Sequence, residues 1–331
     1  MADFPSTDQI SVIWSPRIDR ASKIASAIGA PIYHVYYVFL GRNWPIFAPV
    51  RYGVQAVKTW RILRQVRPRV VHVTNPPVLA PLCVAVYCRL NGASFVMDTH
   101  SPALFSRKWG WTKPLQRVLA RRALVNIVDQ TRFRNQFEEW GARAVIVEKG
   151  PSMVPYTRQP SNPLNPDSFN ILVVNTFAPD EPVLPIIEAA ASLPECHFYV
   201  TGDLVYADQN ILGGAPPNIT FTGWLHRDEY WNTVHYSRAV ISLTTWPYSL
   251  LAGGQDGLTE GKPLILSDQP VLRDYFSRGT VFVDNSAGSI VEGVRCVQQN
   301  EDELKREIAE LAGEKARLWE ERIRALREAV S

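Results

Sequence analysis

The chain has 331 residues, 46% of them hydrophobic and 20% charged, with a net charge of +3. That length allows two ordinary domains, and that composition is one of a folded globular chain rather than a disordered or fibrous one. Four scattered cysteines (Cys83, Cys88, Cys196, Cys296) form no CxxC pair and no metal-ligand spacing, which argues against a disulfide scaffold or a zinc site and fits a reducing cytosol.

The N-terminal stretch "MADFPSTDQISVIW" lacks a basic region followed by a long apolar run, so no secretory signal is expected. No apolar run reaches the ~18 residues of a membrane-spanning helix. "ISVIWS" reads as a buried strand and "DRASKIASAIGA" as a helix stopped at Gly29. "PIYHVYYVFL" reads as a second strand. "PVRYGVQAVKTWRILRQVRP" reads as an amphipathic helix, with Val54, Val57, Ile62 and Val66 on one side and basic residues on the other. "RVVHV", the apolar helix "VLAPLCVAVYCRL" and the strand "ASFVMD" follow. After residue 150 the chain is rich in Pro, Ser and Asn, and residues 151–168 are expected to be a linker. The pattern then restarts with "NILVVNTF", "PVLPIIEAAASL", "HFYVTGD", "ITFTGW", "DEYWNTVHYS", "AVISLTT", "KPLILSD" and "VFVDN". The tail reads as one long helix with Asn300 as N-cap and Glu303 at the capping-box position. Strands alternating with helices predict an α/β chain of two doubly wound, parallel-sheet domains. The expected boundaries are 1–150, 169–300 and a C-terminal helix at 301–331.

The small net charge conceals an asymmetry. Residues 1–160 carry 22 Lys and Arg against 8 Asp and Glu, and the remainder carries 13 against 24. A basic first half points to an anionic partner. Aromatic residues are interleaved with the cations: Arg42, Trp44, Phe47, Tyr52 and Trp60 in one stretch, Arg107, Lys108, Trp109 and Trp111 in another. An apolar, aromatic face bordered by cations suits the surface of an anionic membrane. The expected membrane contacts are Arg42, Trp44, Phe47, Arg107, Lys108, Trp109 and Trp111. No nucleic-acid recognition motif is present, and nucleic acid is not expected as a partner.

Open parallel sheets bind ligands beyond the carboxyl ends of their strands. In the first half those positions are Ser15 to Arg17, Asn75 to Pro77 and Asp98 to Ser101. Arg17, with Arg20 and Lys23 in the next helix, has a phosphate as a reasonable partner, as do Ser15 and Asn75. Asp98 and His100 are an acid/base pair at i,i+2, a spacing that in a strand puts both on one side. They are the candidate catalytic residues, an acid and a base for proton transfer. In the second half, Gly253 and Gly254 precede a short helix, so backbone N–H groups at its start could hold a diphosphate without side-chain charge. Asp256 could accept from a ribose or a sugar hydroxyl, or merely complement the helix dipole. His226 could stack near a base or be a plain loop residue. Neither a Walker lysine nor a GxGxxG is present.

"VTG", then "ITFTGWLHRDEYW", then a Gly-rich loop with an acid five residues before "GKPLILSD" resemble the C-terminal half of a GT-B glycosyltransferase of the broad family 4 type. The first-half motifs "SPR", "NPP" and "DTHS" resemble, in order and spacing, those of the β-1,4-mannosyltransferases that act on dolichol-linked chitobiose. The resemblance implies two Rossmann-like domains facing a cleft, with a nucleotide-sugar, UDP- or GDP-linked, as donor and no other cofactor. It implies donor contacts at Thr176, Gly202, Thr222, Gly223, Trp224, Leu225, Gly253, Gly254 and Asp256. It also implies a lipid-linked or glycan acceptor and a peripheral place on the cytosolic face of a membrane. Three positions depart from the pattern. Tyr248 stands where family 4 has a glutamate, Gly253 where the mannosyltransferases have a lysine, and "NTFAPDE" lacks the usual basic pair. No metal is expected, since no DxD-type cluster ends a strand. A catalytically weak nucleotide-sugar-binding partner subunit and a sugar-nucleotide 2-epimerase are the alternatives.

Overall fold

The computed structural model describes residues 8–15, 19–37, 48–150 and 162–330. They fall into two compact units, one drawn from residues up to 150 and from 317 onward, the other from residues 151–316.

The first unit runs β1 (Gln9–Ile13), α1 (Asp19–Ile28), β2 (Ile32–His34), α2 (Ala48–Val66), β3 (Val70–Asn75), α3 (Leu79–Asn91) and β4 (Ser94–Thr99). Two single-turn helices, α4 (Pro102–Phe105) and α5 (Arg107–Gly110), lead into α6 (Lys113–Arg122), β5 (Val125–Val128), α7 (Thr131–Glu139) and β6 (Ala144–Ile146). Its six strands lie in the order β2-β1-β3-β4-β5-β6, with every pairing parallel. The alternation of strand and helix in the sequence predicts this, because a parallel pair needs a crossover and the crossover helices cover both sheet faces. All six residues of β3 are buried, polar ones included.

Two elements differ from the sequence reading. Among the described residues the second strand covers Ile32–His34, and residues 38–40 of the expected run lie outside the described residues. The helix α2 turns a different side inward: Gln55, Thr59, Ile62, Leu63 and Val66 are buried, while Val57 is 53% exposed and Val54 also faces out. The polar pair is tolerated inside because both groups are bonded. Gln55 Nε2 donates to the Val35 carbonyl at 2.7 Å, and Trp14 Nε1 donates to Thr59 Oγ1 at 2.8 Å.

The second unit runs β7 (Phe169–Val173), α8 (Leu184–Ala191), β8 (Cys196–Thr201), α9 (Gln209–Gly213), β9 (Ile219–Gly223), α10 (Arg227–Tyr236) and β10 (Ala239–Ser242). It continues through α11 (Ala252–Thr259), β11 (Leu264–Ser267), α12 (Pro270–Tyr275), β12 (Thr280–Val283), α13 (Ala287–Gln299) and α14 (Glu301–Val330). Its six parallel strands are ordered β12-β11-β10-β7-β8-β9. One apolar layer, containing Ile171, Phe198, Ile241 and Ile265, packs under α8 and α13. The other, containing Leu172, Val240, Leu264 and Phe276, packs under the opposite helices.

Asn300 does not cap α14 in the way its sequence position predicts. Its side chain donates backward to the Cys296 carbonyl at 2.9 Å, and its own backbone N–H bonds the same oxygen at 3.0 Å, so the residue closes the end of α13. The 30-residue α14 contributes to both cores: Ile308 and Leu311 to the second unit, Trp319, Ile323 and Leu326 to the first. Gly150 makes room for it, since a Cβ there would lie 2.6 Å from the Trp319 ring.

Candidate functional site

In the second unit the strand order reverses between β7 and β10, the place where doubly wound sheets bind ligands. The helix α11 begins directly above this point. Its first turn contains Gly253 and Gly254, so the two glycines belong to the helix rather than preceding it. Gly253 is required by proximity: a Cβ would lie 2.5 Å from Val174 Cβ and 2.9 Å from Ser242 Oγ, at the ends of β7 and β10. Glycine therefore lets the helix start, with its unpaired N–H groups, sit against the reversal point. Two loops flank it and are tied together. Thr244 Oγ1 donates to Asp180 Oδ2 at 3.0 Å, and the Thr245 N–H donates to the Asp180 carbonyl at 2.7 Å.

Asp256 is enclosed. It lies in the second turn of α11, beyond the reach of the dipole at the helix start, and accepts from Tyr230 Oη at 2.8 Å. Burial first, and then the Asp256 carboxylate, push the Tyr230 phenol well above its usual value of 10.0. Thr176 is exposed, and its N–H and hydroxyl both bond Glu181 Oε2, at 2.6 and 2.8 Å. Gly202 is buried with φ 130, its N–H donating to the Gly223 carbonyl at 3.2 Å. Thr222 Oγ1 bonds the Val200 and Gly223 carbonyls. Gly223 takes φ 70, which turns the chain so that Trp224 stands 73% exposed with Leu225 beside it. His226 serves as the N-cap of α10, in a capping box with Glu229.

In the first unit the reversal falls between β1 and β3, and the polar residues gather one strand further on. Asp98 is 4% exposed near the end of β4, opposite Thr74 on β3. Arg20, from the first turn of α1, donates to Asp98 Oδ1 and, at 3.0 Å, to the Thr99 carbonyl. His100 lies just past the strand with Nε2 3.5 Å from Asp98 Oδ2, so the acid and the base meet. Burial alone would raise the Asp98 pKa, but Arg20 and then His100 outweigh it and hold it at about 2. Asp98 is thus a fixed anion at neutral pH and no proton acceptor.

Asn75 is fully buried. Its Nδ2 donates to Gln116 Oε1 at 3.0 Å, and its carbonyl accepts the His100 N–H at 2.8 Å. It holds the histidine loop. Ser15 lies at the end of β1, its carbonyl 3.0 Å from His34 Nδ1. Arg20 turns to Asp98, and Lys23 to the Gly150 carbonyl at 2.9 Å.

Comparison with solved structures gives matches over nearly the whole chain. Sucrose-phosphate synthase from Thermosynechococcus elongatus is 11% identical with a TM-score of 0.74, covering 97% of this chain and 98% of that one. A glycosyltransferase from Rickettsia africae is 13% identical with a TM-score of 0.71, covering 97% of each chain. HepE of Anabaena, in complex with UDP, is 13% identical with a TM-score of 0.70, covering 98% of each. The fold is GT-B. No family model matches the chain, and no curated protein matches it in sequence.

In a GT-B chain the feature missed by the sequence reading is the bonding around Asp98. Its partner Arg20 is 78 positions away, and no local spacing signals such a pair. The pairing of Ser101 with Asp129 was missed for the same reason: Ser101 Oγ donates to Asp129 Oδ2 at 2.7 Å. Of the expected membrane contacts, Arg107 and Lys108 are exposed on α5, and Lys108 Nζ sits 5.4 Å over the Trp109 ring. Trp111 is 78% exposed. Tyr52 and Trp60 turn inward instead, stacking on Trp14 and meeting Tyr87 edge-on. Arg17, Arg42, Trp44 and Phe47 lie outside the described residues. Among the described residues no helix is long and apolar enough to cross a membrane. Nor do they contain a group of three or more His, Cys, Asp or Glu able to hold a metal ion.

Proposed function

We propose that the protein is a glycosyltransferase that moves a hexosyl group from a nucleoside diphosphate sugar, UDP- or GDP-linked, to a lipid-linked or glycan acceptor. The observation that carries this reading is the start of α11, brought by Gly253 onto the reversal point of a sheet. Amide N–H groups there face a diphosphate with the helix dipole behind them, stabilising the leaving group as the glycosidic bond breaks. The neighbouring loop carries Asp180 and Glu181 and supplies no cation to this work. Trp224 offers a flat, exposed ring for the base. HepE was solved with UDP-glucose as well as with UDP, which supports a nucleotide-sugar as the donor.

His100 is the residue for proton exchange with an acceptor hydroxyl, or for contact with the donor sugar. Asp98 faces Nε2, which leaves Nδ1 to meet the substrate. The "SPR", "NPP" and "DTHS" motifs favour a mannosyl donor and a chitobiose-like lipid acceptor within family 4. A lipid acceptor calls for a peripheral position on the cytosolic face of an anionic membrane. Arg107, Lys108, Trp109 and Trp111 supply cations and apolar area together. Flotation with anionic but not zwitterionic liposomes at low salt, weakened by Trp111→Ala, tests that part.

The chemistry is tested by sugar release or transfer from UDP- and GDP-hexoses. His100→Ala should lower turnover at least ~100-fold if His100 is a general base. Wild-type turnover in that variant would remove His100 from the mechanism. A second reading, a nucleotide-sugar-binding partner without turnover, is favoured by Tyr248 and by the acidic loop. Transfer or hydrolysis by the purified chain decides against it.

A further inference from the structure

We propose that Arg20 is a positioning residue that clamps the segment Asp98–Ser101 at both ends and so fixes how His100 is presented. The inference rests on the reading that His100 meets substrate. Three of the four residues in the segment are held by the guanidinium or by a group it reaches. Arg20 donates to the Asp98 carboxylate and to the Thr99 carbonyl. Its other terminal nitrogen is 3.6 Å from Asp129 Oδ2, and the same oxygen accepts from Ser101 Oγ at 2.7 Å. His100 is the remaining member, and its backbone N–H is pinned to the Asn75 carbonyl. The ring is therefore mounted on a segment with no unrestrained residue, which is what holding a reacting group to within a fraction of an ångström requires.

The charges make Arg20 indispensable to this arrangement. Two carboxylates, Asp98 at the end of β4 and Asp129 at the end of β5, converge on one guanidinium that is only 6% exposed. The other titratable groups facing Asp98 are His100 and, from β3, His72, whose burial keeps it neutral at pH 7. Arg20 is thus the one permanent cation facing Asp98 among the described residues. Only a planar fork can address a carboxylate and a carbonyl with one nitrogen and a second carboxylate with the other; a lysine at this place keeps the charge and loses the second arm.

The test is a set of variants read in two ways. The tautomer of His100 is measured by ¹⁵N NMR of histidine-labelled full-length protein, and kcat and KM are measured with the donor that turns over. Wild type should show one tautomer, with Nε2 carrying the proton toward Asp98. Arg20→Gln should mix the tautomers and lower kcat by roughly 10- to 100-fold with KM nearly unchanged. Arg20→Lys and Asp129→Asn should fall between. In the pair Arg20→Gln/Asp98→Asn the loss should equal that of Asp98→Asn alone, because both act on the same ring. Should Arg20→Gln not fold, this neutral pair, Arg20→Lys and Asp129→Asn give the same comparison. An unchanged tautomer with unchanged kcat in the folded variants overturns the proposal, as does a loss in the pair that is the sum of the single losses. If His100→Ala keeps full turnover, the catalytic reading fails instead, and the tautomer measurement still decides whether Arg20 sets the ring.

Discussion

Lowering the pH from 7 to 4.5 should weaken the first unit, and His72 should account for much of the loss. The imidazole is 4% exposed in the middle of β3, with Nε2 3.1 Å from Gln9 Oε1. Burial pushes its pKa from 6.5 down to about 4, with the charge of Asp98 pulling the other way. Between those two values the unfolded chain binds a proton that the folded chain refuses. The contribution to stability is therefore complete above pH 6.5 and is lost as pH falls toward 4. At about 1.4 kcal/mol per unit, the whole window is worth about 3 kcal/mol, most of it already lost at pH 4.5. Urea unfolding followed by circular dichroism at both pH values, for wild type and His72→Gln, isolates this effect from every other titration. Wild type should lose about 2 kcal/mol more than the variant on acidification. Equal losses would show that His72 is not buried as a neutral ring and would refute the reasoning.

Asp98 should act in a separate, more acid window. Its folded value of about 2 lies below the unfolded one, so its stabilisation is full above about pH 4 and disappears toward pH 2; Asp98→Asn should abolish that limb of an acid-unfolding curve. Gly253→Ala, whose Cβ would lie 2.5 Å from Val174 Cβ, should cost ~1–3 kcal/mol in urea unfolding. Gly288→Ala, where nothing lies within 4 Å, should be neutral or stabilising by up to ~1 kcal/mol in the same assay. Tyr230→Phe should cost ~1–3 kcal/mol by leaving the buried Asp256 without its hydroxyl donor; restoration by Asp256→Asn would be read in thermal melts of the double variant.

The architecture was legible because it follows from alternation. Apolar runs such as Val70 to Val73 and Leu264 to Leu266 can only be strands buried on both faces, and strands of that kind come with crossover helices. The paired glycines could be singled out, but not their place in the first turn of α11, nor the close approach to Val174 and Ser242 that requires Gly253. What could not be read was any choice made by tertiary partners. The inward face of α2 is decided by Trp14 and by the Val35 carbonyl, which make Thr59 and Gln55 good core residues and leave Val57 outside. Helix α13 went unseen because its Ala, Gly and Ser start gives a weak apolar signal; its cap, Ser286 accepting from the Ser289 N–H, is a local cue that could have revealed it. Asp98 and His100 could be picked out as a pair, but not that Asp98 is held as an anion. That answer lies with Arg20, 78 positions away.

The central claim is that the second unit binds a nucleoside diphosphate at the start of α11. A thermal-shift panel of UDP, GDP and ADP with their hexoses, run on wild type and on Gly253→Ala, tests it most directly. A ligand present at one hundred times its dissociation constant stabilises the folded form by about 2.7 kcal/mol. One nucleotide of the panel should raise the midpoint of wild type by several degrees and do so much less in Gly253→Ala. No shift with any nucleotide, or an equal shift in both proteins, would contradict the account.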